Sequence, residues 1–208
     1  MALRLNGATS GFVELNAPAT AGSNTLTLPN GNGSSGQYLQ TDGSGGLSWQ
    51  TVTTGTILQV ISDTKTDSAT FNPGSTWTDV PGLSVSITPT SSSNKVLVNF
   101  HLHCISNMRA FVRLVRGSTA IAVGDTAGNR ISCTSGDMQW AESDAAELQL
   151  QSMTWLDSPA TTSATTYKLQ IRSDGGGDSV YVNRTYTDTD SASYGRPVSS
   201  ITVMEVAA

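Results

Sequence analysis

Two histidines, His101 and His103, stand two positions apart in a segment with β-type alternation. Residues i and i+2 of a strand point to the same face, so the two imidazoles are expected side by side. Imidazole is a common ligand of zinc and iron, and an oligomer would bring several such pairs together. The motif occurs once and shares its face with Asn99, which favours a polar strand face at a surface or subunit interface. We predict no metal site and no cofactor, with His101 and His103 as the candidate ligands should a metal bind.

Nucleophilic catalysis would need a cysteine or serine within hydrogen-bond reach of a histidine. Cys104 directly follows His103, but adjacent residues of a strand point to opposite faces. The two side chains therefore cannot pair. The chain also has no Gly-X-Ser-X-Gly nucleophile elbow.

Paired carboxylates are the residue types that glycosidases use. The candidate pairs are Asp174 with Asp178 and Asp188 with Asp190. Both pairs lie in Gly- or Thr-rich sequence, where aspartate commonly forms turns. We interpret them as turn residues and predict that the protein is not an enzyme.

Four aromatic residues fall in or near predicted loops: Trp140, Tyr181, Tyr186 and Tyr194. Exposed aromatic rings can stack on sugar faces, which would make them glycan contacts at a receptor-binding tip. The alternative is that they pack the interior or a subunit interface. Packing is the favoured interpretation, and the four residues remain candidate glycan contacts.

The histidine pair belongs to two predicted strands between Gly82 and Ser106, separated by a turn at Pro89–Asn94. In each strand the apolar residues alternate with polar ones, as in a half-buried strand. The apolar positions are Leu83, Val85 and Ile87 in the first strand and Val96, Val98, Phe100, Leu102 and Cys104 in the second. Because Cys104 shares this apolar face, we expect it, and Cys133, to be reduced core or near-core residues.

The same alternation recurs to the C-terminus at spacings typical of a β-sandwich. Further strands are predicted at 57–61, 109–116, 120–123, 148–156, 167–172, 180–183 and 200–206. The only helical candidate is 141–148. Residues 57–208 are thus expected to form one sandwich domain with its own core.

Residues 1–56 have a different composition, with ten of the 20 glycines and only three charged residues. Their apolar alternations are short, such as Leu26 with Leu28, and are separated by Gly, Asn, Ser and Pro turns. Strands this short bury too little apolar surface to offset a backbone entropy of roughly 1–2 kcal/mol per residue. We therefore expect this segment to be ordered by other chains, most simply by copies of itself.

Charge and hydropathy exclude several function classes. The net charge is -5 and 13% of residues are charged, so the chain lacks the basic surface expected of a nucleic-acid-binding protein. No apolar run approaches the roughly 20 residues that span a bilayer. We expect no nucleic-acid partner, no membrane insertion and no secretory signal at the N-terminus.

Several stretches resemble virion structural proteins of bacteriophages, notably the tail-fibre proteins of marine and cyanobacterial phages. They are Trp77 together with Gly82–Pro89 and Ser93–Val98, the ending Pro197–Val206, and the N-terminal stretches Leu15–Pro18, Gly22–Pro29, Leu39–Gly43 and Leu47–Trp49. The resemblance implies a homotrimer with a slender β-rich stem and a jelly-roll head similar to that of C1q and TNF. It further implies a place on the virion, after assembly in the host cytoplasm, and no cofactor.

We therefore predict an all-β chain with a stem or virion-docking segment at 1–56 and a jelly-roll-like head at 57–208, assembled as a trimer. The expected function is that of a tail fibre or fibre-like component. The alternatives are a head fibre or capsid decoration protein, and a receptor-binding tip for a host surface glycan. Expected partners are two further copies, other virion proteins and possible host glycans. The residues predicted to trimerise or dock are Leu3, Leu5, Val13, Leu15, Leu26, Leu28, Leu39, Leu47 and Trp49.

Overall fold

The computed structural model describes residues 3–16, 18–20, 22–51, 55–136, 138–139 and 147–208. The chain divides into two compact units, Met1–Val52 and Thr53–Ala208. We refer to them as the N-terminal unit and the sandwich unit.

The N-terminal unit contains two short antiparallel hairpins. In the first, β1 (Leu3–Asn6) pairs with β2 (Phe12–Leu15), and in the second, β3 (Tyr38–Thr41) pairs with β4 (Leu47–Gln50). The predicted strand at Leu26–Leu28 forms only one bridge, from Thr27 to Gly46. Three residues flanked by turns are too few to build a ladder.

The described residues of the sandwich unit form eleven strands in two sheets. They are β5 (Ile57–Lys65), β6 (Ala69–Phe71), β7 (Thr78–Ile87), β8 (Lys95–Ser106), β9 (Ala110–Arg116), β10 (Thr119–Ile121), β11 (Ser135–Gly136), β12 (Gln149–Asp157), β13 (Thr165–Ser173), β14 (Val180–Val182) and β15 (Ser199–Val206). The first sheet has the order β5-β15-β8-β12, with β14 and β6 continuing beside the end of β8. The second sheet has the order β10-β9-β13-β7, and β11 pairs with β9.

This strand order is that of a jelly roll. The chain crosses from the first sheet to the second and back, and its last long strand, β15, lies between β5 and β8. The prediction of an all-β chain with a jelly-roll-like sandwich is therefore confirmed. The described residues contain no helix, and hence none long and apolar enough to cross a membrane.

The core lies between the two sheets because each long strand turns every second residue inward. The inner faces contribute Val96, Val98, Phe100, Leu102, Cys104, Ile201 and Val203 from the first sheet and Leu83, Val85, Ile87, Val112, Leu114, Tyr167, Leu169 and Ile171 from the second. All fifteen are buried, and eight of them are the apolar positions predicted between Gly82 and Ser106.

Two short strands and one helical candidate differ between the sequence predictions and the structure. Strands β6 and β11 were not predicted, because three and two residues are too short to show a period. Of the helical candidate 141–148, residues 141–146 lie outside the described residues. Glu147 and Leu148 belong to no regular element.

Candidate functional site

The N-terminal unit keeps its apolar side chains exposed. None of its residues whose side chains the structure describes is buried. The exposed fractions are 60% for Leu3, 59% for Leu5, 65% for Leu15, 67% for Leu26, 69% for Leu28 and 45% for Leu39. These are six of the nine residues predicted to trimerise or dock, and their exposure is what an assembly surface requires.

The first hairpin separates its two faces cleanly. Leu3 lies opposite Leu15 and Leu5 opposite Val13, so the backbone places all four predicted contact residues on one face. The other face carries Arg4, whose guanidinium bonds Glu14 at 2.8 Å and lies 3.9 Å from the centre of the Phe12 ring. One face is thus held by polar contacts within the hairpin while the leucine face is left to solvent.

The second hairpin uses part of its apolar surface internally. Trp49 is half-buried, and its indole nitrogen donates to the Gly31 carbonyl oxygen at 2.7 Å. A side chain at Gly33 would sit 2.6 Å from the Trp49 ring, and Gly33 has φ of +70°, so glycine is required there. Trp49 therefore packs within its own chain. Leu47 is half-buried beside it, and Leu39 is exposed.

The sandwich unit carries a second exposed apolar surface, on the outer face of the first sheet. The strand register aligns one residue from each of four strands in the order Val60, Met204, Leu97 and Leu156. We call these four residues the apolar row. Val60 is 56% and Leu156 52% exposed at its two ends, while Met204 and Leu97 are half-buried between them.

Beside the apolar row lie two rows of uncharged polar residues. They are Ser62, Thr202, Asn99 and Thr154, and next Thr64, Ser200, His101 and Ser152. The first polar row is internally bonded, from Ser62 to Thr202 at 2.9 Å and from Asn99 to Thr154 at 2.7 Å. We call the three rows together the neutral face, because none of its twelve positions holds Asp, Glu, Lys or Arg.

The two histidines lie at the polar end of this face. His101 is exposed in the outermost row, whereas His103 is half-buried and its Nδ1 lies 2.8 Å from the Val198 carbonyl oxygen. A carbonyl only accepts, so His103 carries its proton on Nδ1 and leaves Nε2 without it in the neutral ring. Within the part of the chain that the structure describes, no three His, Cys, Asp or Glu residues cluster as a metal site.

A buried carboxylate, that of Glu205, lies on the interior side of the sheet that carries the neutral face. Glu205 follows Met204 of the apolar row and points into the interior, where it is 0% exposed. It accepts from the Thr90 amide at 2.6 Å, from Asn94 at 2.6 Å and from Gln59 at 2.6 Å. Burial raises the pKa of Glu205, but the hydrogen bonds from Asn94, Gln59 and Thr90 outweigh it and lower the pKa to about 2. The group thus ties β15 to β5 and to the turn between β7 and β8.

The candidate glycan contacts fall in two places. Tyr181 and Tyr186 form an edge-to-face pair with ring centres 5.3 Å apart, and Arg184 lies 5.0 Å from the Tyr181 ring centre. Tyr194 lines a cavity of about 280 Å³ with Asp188, Asp190 and Arg196. Trp140 lies outside the described residues. Packing thus engages the rings of Tyr181 and Tyr186, and Tyr194 opens onto a cavity.

One member of each aspartate pair has a structural partner. Asp178 is buried and accepts from the Gly175 amide at 3.2 Å, which closes the glycine-rich turn. Asp188 pairs with Arg196 at 2.5 Å and with Arg184 at 3.7 Å. Their geometry is that of turn and loop residues.

Both cysteines are free thiols. Cys104 is buried with its sulfur 3.0 Å from the Met138 sulfur, and burial raises the pKa of its thiol. Cys133 is half-buried, and burial raises its thiol pKa as well. Raised pKa values keep both thiols protonated at neutral pH, which makes them poor nucleophiles.

Sequence reasoning missed the apolar row. The alternation of β8 places Leu97 on the same face as Asn99, His101 and His103, but its row partners come from strands far along the chain. Only the register of β15 between β5 and β8 brings the four residues together. The available signal was the set of apolar residues on the otherwise polar faces of the predicted strands.

No protein-family model matches this sequence, and no curated protein matches it. Solved structures of infectious bursal disease virus do. The Gt strain structure matches with 13% identity and a TM-score of 0.36 over 98% of this chain and 50% of that one. The Gx strain structure matches with 14% identity and a TM-score of 0.35 over 98% of this chain and 48% of that one. The VP2 subviral particle matches with 14% identity and a TM-score of 0.36 over 94% of this chain and 48% of that one. This chain spans about half the length of each, and at these scores the likeness does not bear on function.

Proposed function

We propose that this chain is a non-enzymatic structural protein of a bacteriophage virion, a tail fibre or fibre-like component that assembles as a homotrimer. The observation that carries the proposal is a pair of exposed surfaces without charged residues. One is formed by the leucines of the N-terminal unit, and the other is the neutral face of the sandwich unit with its apolar row. The sequence resemblance to phage fibre proteins supports the virion and the number three.

A second copy of the same chain is the occupant that the neutral face fits best. The chain has a net charge of -5, so surfaces of its own kind repel wherever acidic residues meet. The twelve positions of the neutral face contribute no charge, and serine, threonine and asparagine can both donate and accept hydrogen bonds. Such a face can pack against a copy without burying an unpaired ion, which would cost several kcal/mol per ion.

The N-terminal unit adds contact area in the same assembly. A buried leucine side chain contributes about 1.5–3 kcal/mol relative to an exposed one. Six leucines that are between 45% and 69% exposed therefore offer substantial stabilisation to each chain. A two-stranded hairpin alone is marginal in water, so this stabilisation would also order the hairpins themselves.

Charge insertion tests the proposal. Leu156→Asp places a carboxylate at the end of the apolar row, and Leu28→Asp places one in the N-terminal unit. Both side chains are more than half exposed in one chain, at 52% and 69%, so each variant should still fold. We expect light scattering to show a shift from trimer toward the 21.7 kDa chain in both variants.

Thr119→Asp is the matched control, because it adds the same charge to an exposed position of β10, outside both apolar surfaces. It should remain a trimer. A Leu156→Asp variant that stays fully trimeric would remove the neutral face from the interface. A Leu28→Asp variant that stays fully trimeric would show that Leu28 does not lie in the trimer interface.

The position on the particle is tested separately. Antibody labelling of intact particles by electron microscopy should place this protein on the tail. Label on the capsid would replace the tail-fibre proposal by the alternative of a head fibre or decoration protein, with the trimer unchanged.

A further inference from the structure

The outer face of the second sheet differs from the neutral face in carrying unbalanced positive charge around an aromatic ring. Its central residues are Trp77, Phe111, Arg113, Gln170 and Arg172, which we call the arginine–tryptophan patch. The register sets Arg113 opposite Gln170 and Phe111 opposite Arg172, and Trp77 directly precedes β7 on the far side of β13. All five side chains are half-buried.

Both arginine side chains lie close to the indole ring of Trp77. The guanidinium carbon of Arg113 lies 4.4 Å and that of Arg172 5.9 Å from the centre of the Trp77 ring. Such contacts orient a guanidinium while leaving part of its edge for other acceptors. Arg113 is further fixed by the Gln170 side-chain oxygen, at 2.9 Å from Nε and 2.7 Å from Nη2.

Asp79, a carboxylate near this pair, is hydrogen-bonded to other residues. Asp79 accepts from Lys168 at 2.7 Å and from the Gln170 side-chain nitrogen at 2.7 Å. Lys168 and Asp79 form an ion pair, so Lys168, Asp79, Arg113 and Arg172 together carry a net charge of +2 (three cations and one carboxylate). Burial and the nearby charge of Arg172 lower the pKa of Arg113, as expected for two cations that repel each other.

Arg172 has an unsatisfied donor. Its Nε is buried and has no hydrogen-bond partner among the residues that the structure describes. A buried donor without an acceptor is costly, and more so when it is charged. Two cations held together on an acidic protein, with donors to spare, are the arrangement expected of an anion site.

We propose that the arginine–tryptophan patch binds an oxyanion group carried by an acidic glycan, such as the carboxylate of a uronic acid or a sulfate ester. Arg113 and Arg172 bind the oxyanion as charge-assisted donors, and Trp77 and Phe111 supply apolar contact to the sugar ring. All the residues belong to one chain, so the site does not depend on the trimer. In a trimer three copies of the patch would add avidity for a polymer.

The test measures binding of full-length protein to an oligogalacturonate, a sulfated oligosaccharide and a neutral oligosaccharide of the same length. Inorganic sulfate is a fourth probe. We expect binding to one or both acidic glycans, none to the neutral one, and affinity that falls with added salt. Loss of one charge-assisted contact should weaken binding at least about tenfold in Arg172→Gln and in Arg113→Gln.

Arg130→Gln is the matched control, since it removes the same charge from an exposed loop outside the patch. It should bind like the unaltered protein. NMR of the arginine Nε–H signals gives a readout without any substitution, and the Arg172 signal should shift on titration with the glycan. A protein that binds no acidic glycan, or variants that bind unchanged, would overturn the site. Equal affinity for free sulfate would overturn the glycan assignment.

Discussion

The carboxylate of Glu205 makes a quantitative prediction about acid stability. It is 0% exposed and is held by four hydrogen bonds, two from Thr90 and one each from Asn94 and Gln59. Its pKa falls from 4.5 to about 2 on folding. A shift of this size is equivalent to about 3 kcal/mol, and because even buried sites in proteins behave as a medium of fairly high effective dielectric constant, we expect a stabilisation of about 1–2 kcal/mol.

The sign follows from the direction of the shift. The folded pKa lies below the unfolded one, so this stabilisation is fully present above pH 4.5 and is lost as the pH falls toward about 2. Since Glu205 ties β15 to the turn before β8, acid should loosen the sheet that carries the neutral face.

The assay is urea unfolding, followed by circular dichroism at fixed chain concentration from pH 7 to pH 3. Glu205→Gln should lower the free energy of unfolding by about 1–2 kcal/mol at pH 7, because a neutral amide oxygen is a weaker hydrogen-bond acceptor than a carboxylate oxygen. The NH₂ group of the glutamine would also face hydrogen-bond donors that now bond the carboxylate. The difference between the two proteins should shrink as the pH falls below 4.5. Asp125→Asn, at an exposed loop position, is the control and should show no such pH-dependent difference. A Glu205→Gln deficit that is constant from pH 7 to pH 3 would refute the reasoning.

Two further predictions concern the interior of the sandwich unit. Tyr167→Phe removes the hydroxyl that donates to Asp157 at 2.7 Å in a buried position, and should lower the free energy of unfolding by about 1.5–3 kcal/mol in the same urea assay. A change below about 0.5 kcal/mol would mean that Arg116, which bonds both Asp157 oxygens, satisfies the carboxylate alone. Cys104 should resist iodoacetamide in the folded protein and react in urea, because it is buried and its thiol pKa is raised. Peptide mass spectrometry reads the modification, and equal labelling in both conditions would contradict the burial.

The sandwich could be predicted from sequence because its strands carry a strict period of two. The segment from Gly82 to Ser106 is the clearest case, since Val96, Val98, Phe100 and Leu102 alternate without a break and all four are buried. The pattern is local, and the inward face of a strand is fixed by it.

The surfaces could be predicted only in part. The exposed leucines of the N-terminal unit were recognisable because each belongs to a predicted strand too short to bury it. The role of Trp49 was harder to foresee, because its contact with Gly33 and its bond to Gly31 depend on a loop conformation.

The side-chain groups on the two outer faces of the sandwich cannot be predicted from any single strand. The apolar row joins Val60, Leu97, Leu156 and Met204, and the arginine–tryptophan patch joins Trp77, Arg113 and Arg172. The members of each set lie far apart along the chain and meet only through the sheet order. Sequence periodicity gives the face on which a residue lies but not its neighbours across the sheet.

The central claim, that this chain functions as a homotrimer, is tested most directly by the mass of the full-length protein in solution. Light scattering across a range of concentrations should give three times the 21.7 kDa of one chain. A mass of 21.7 kDa at every concentration would contradict the account, because the exposed leucines and the neutral face would then have no second copy to cover them.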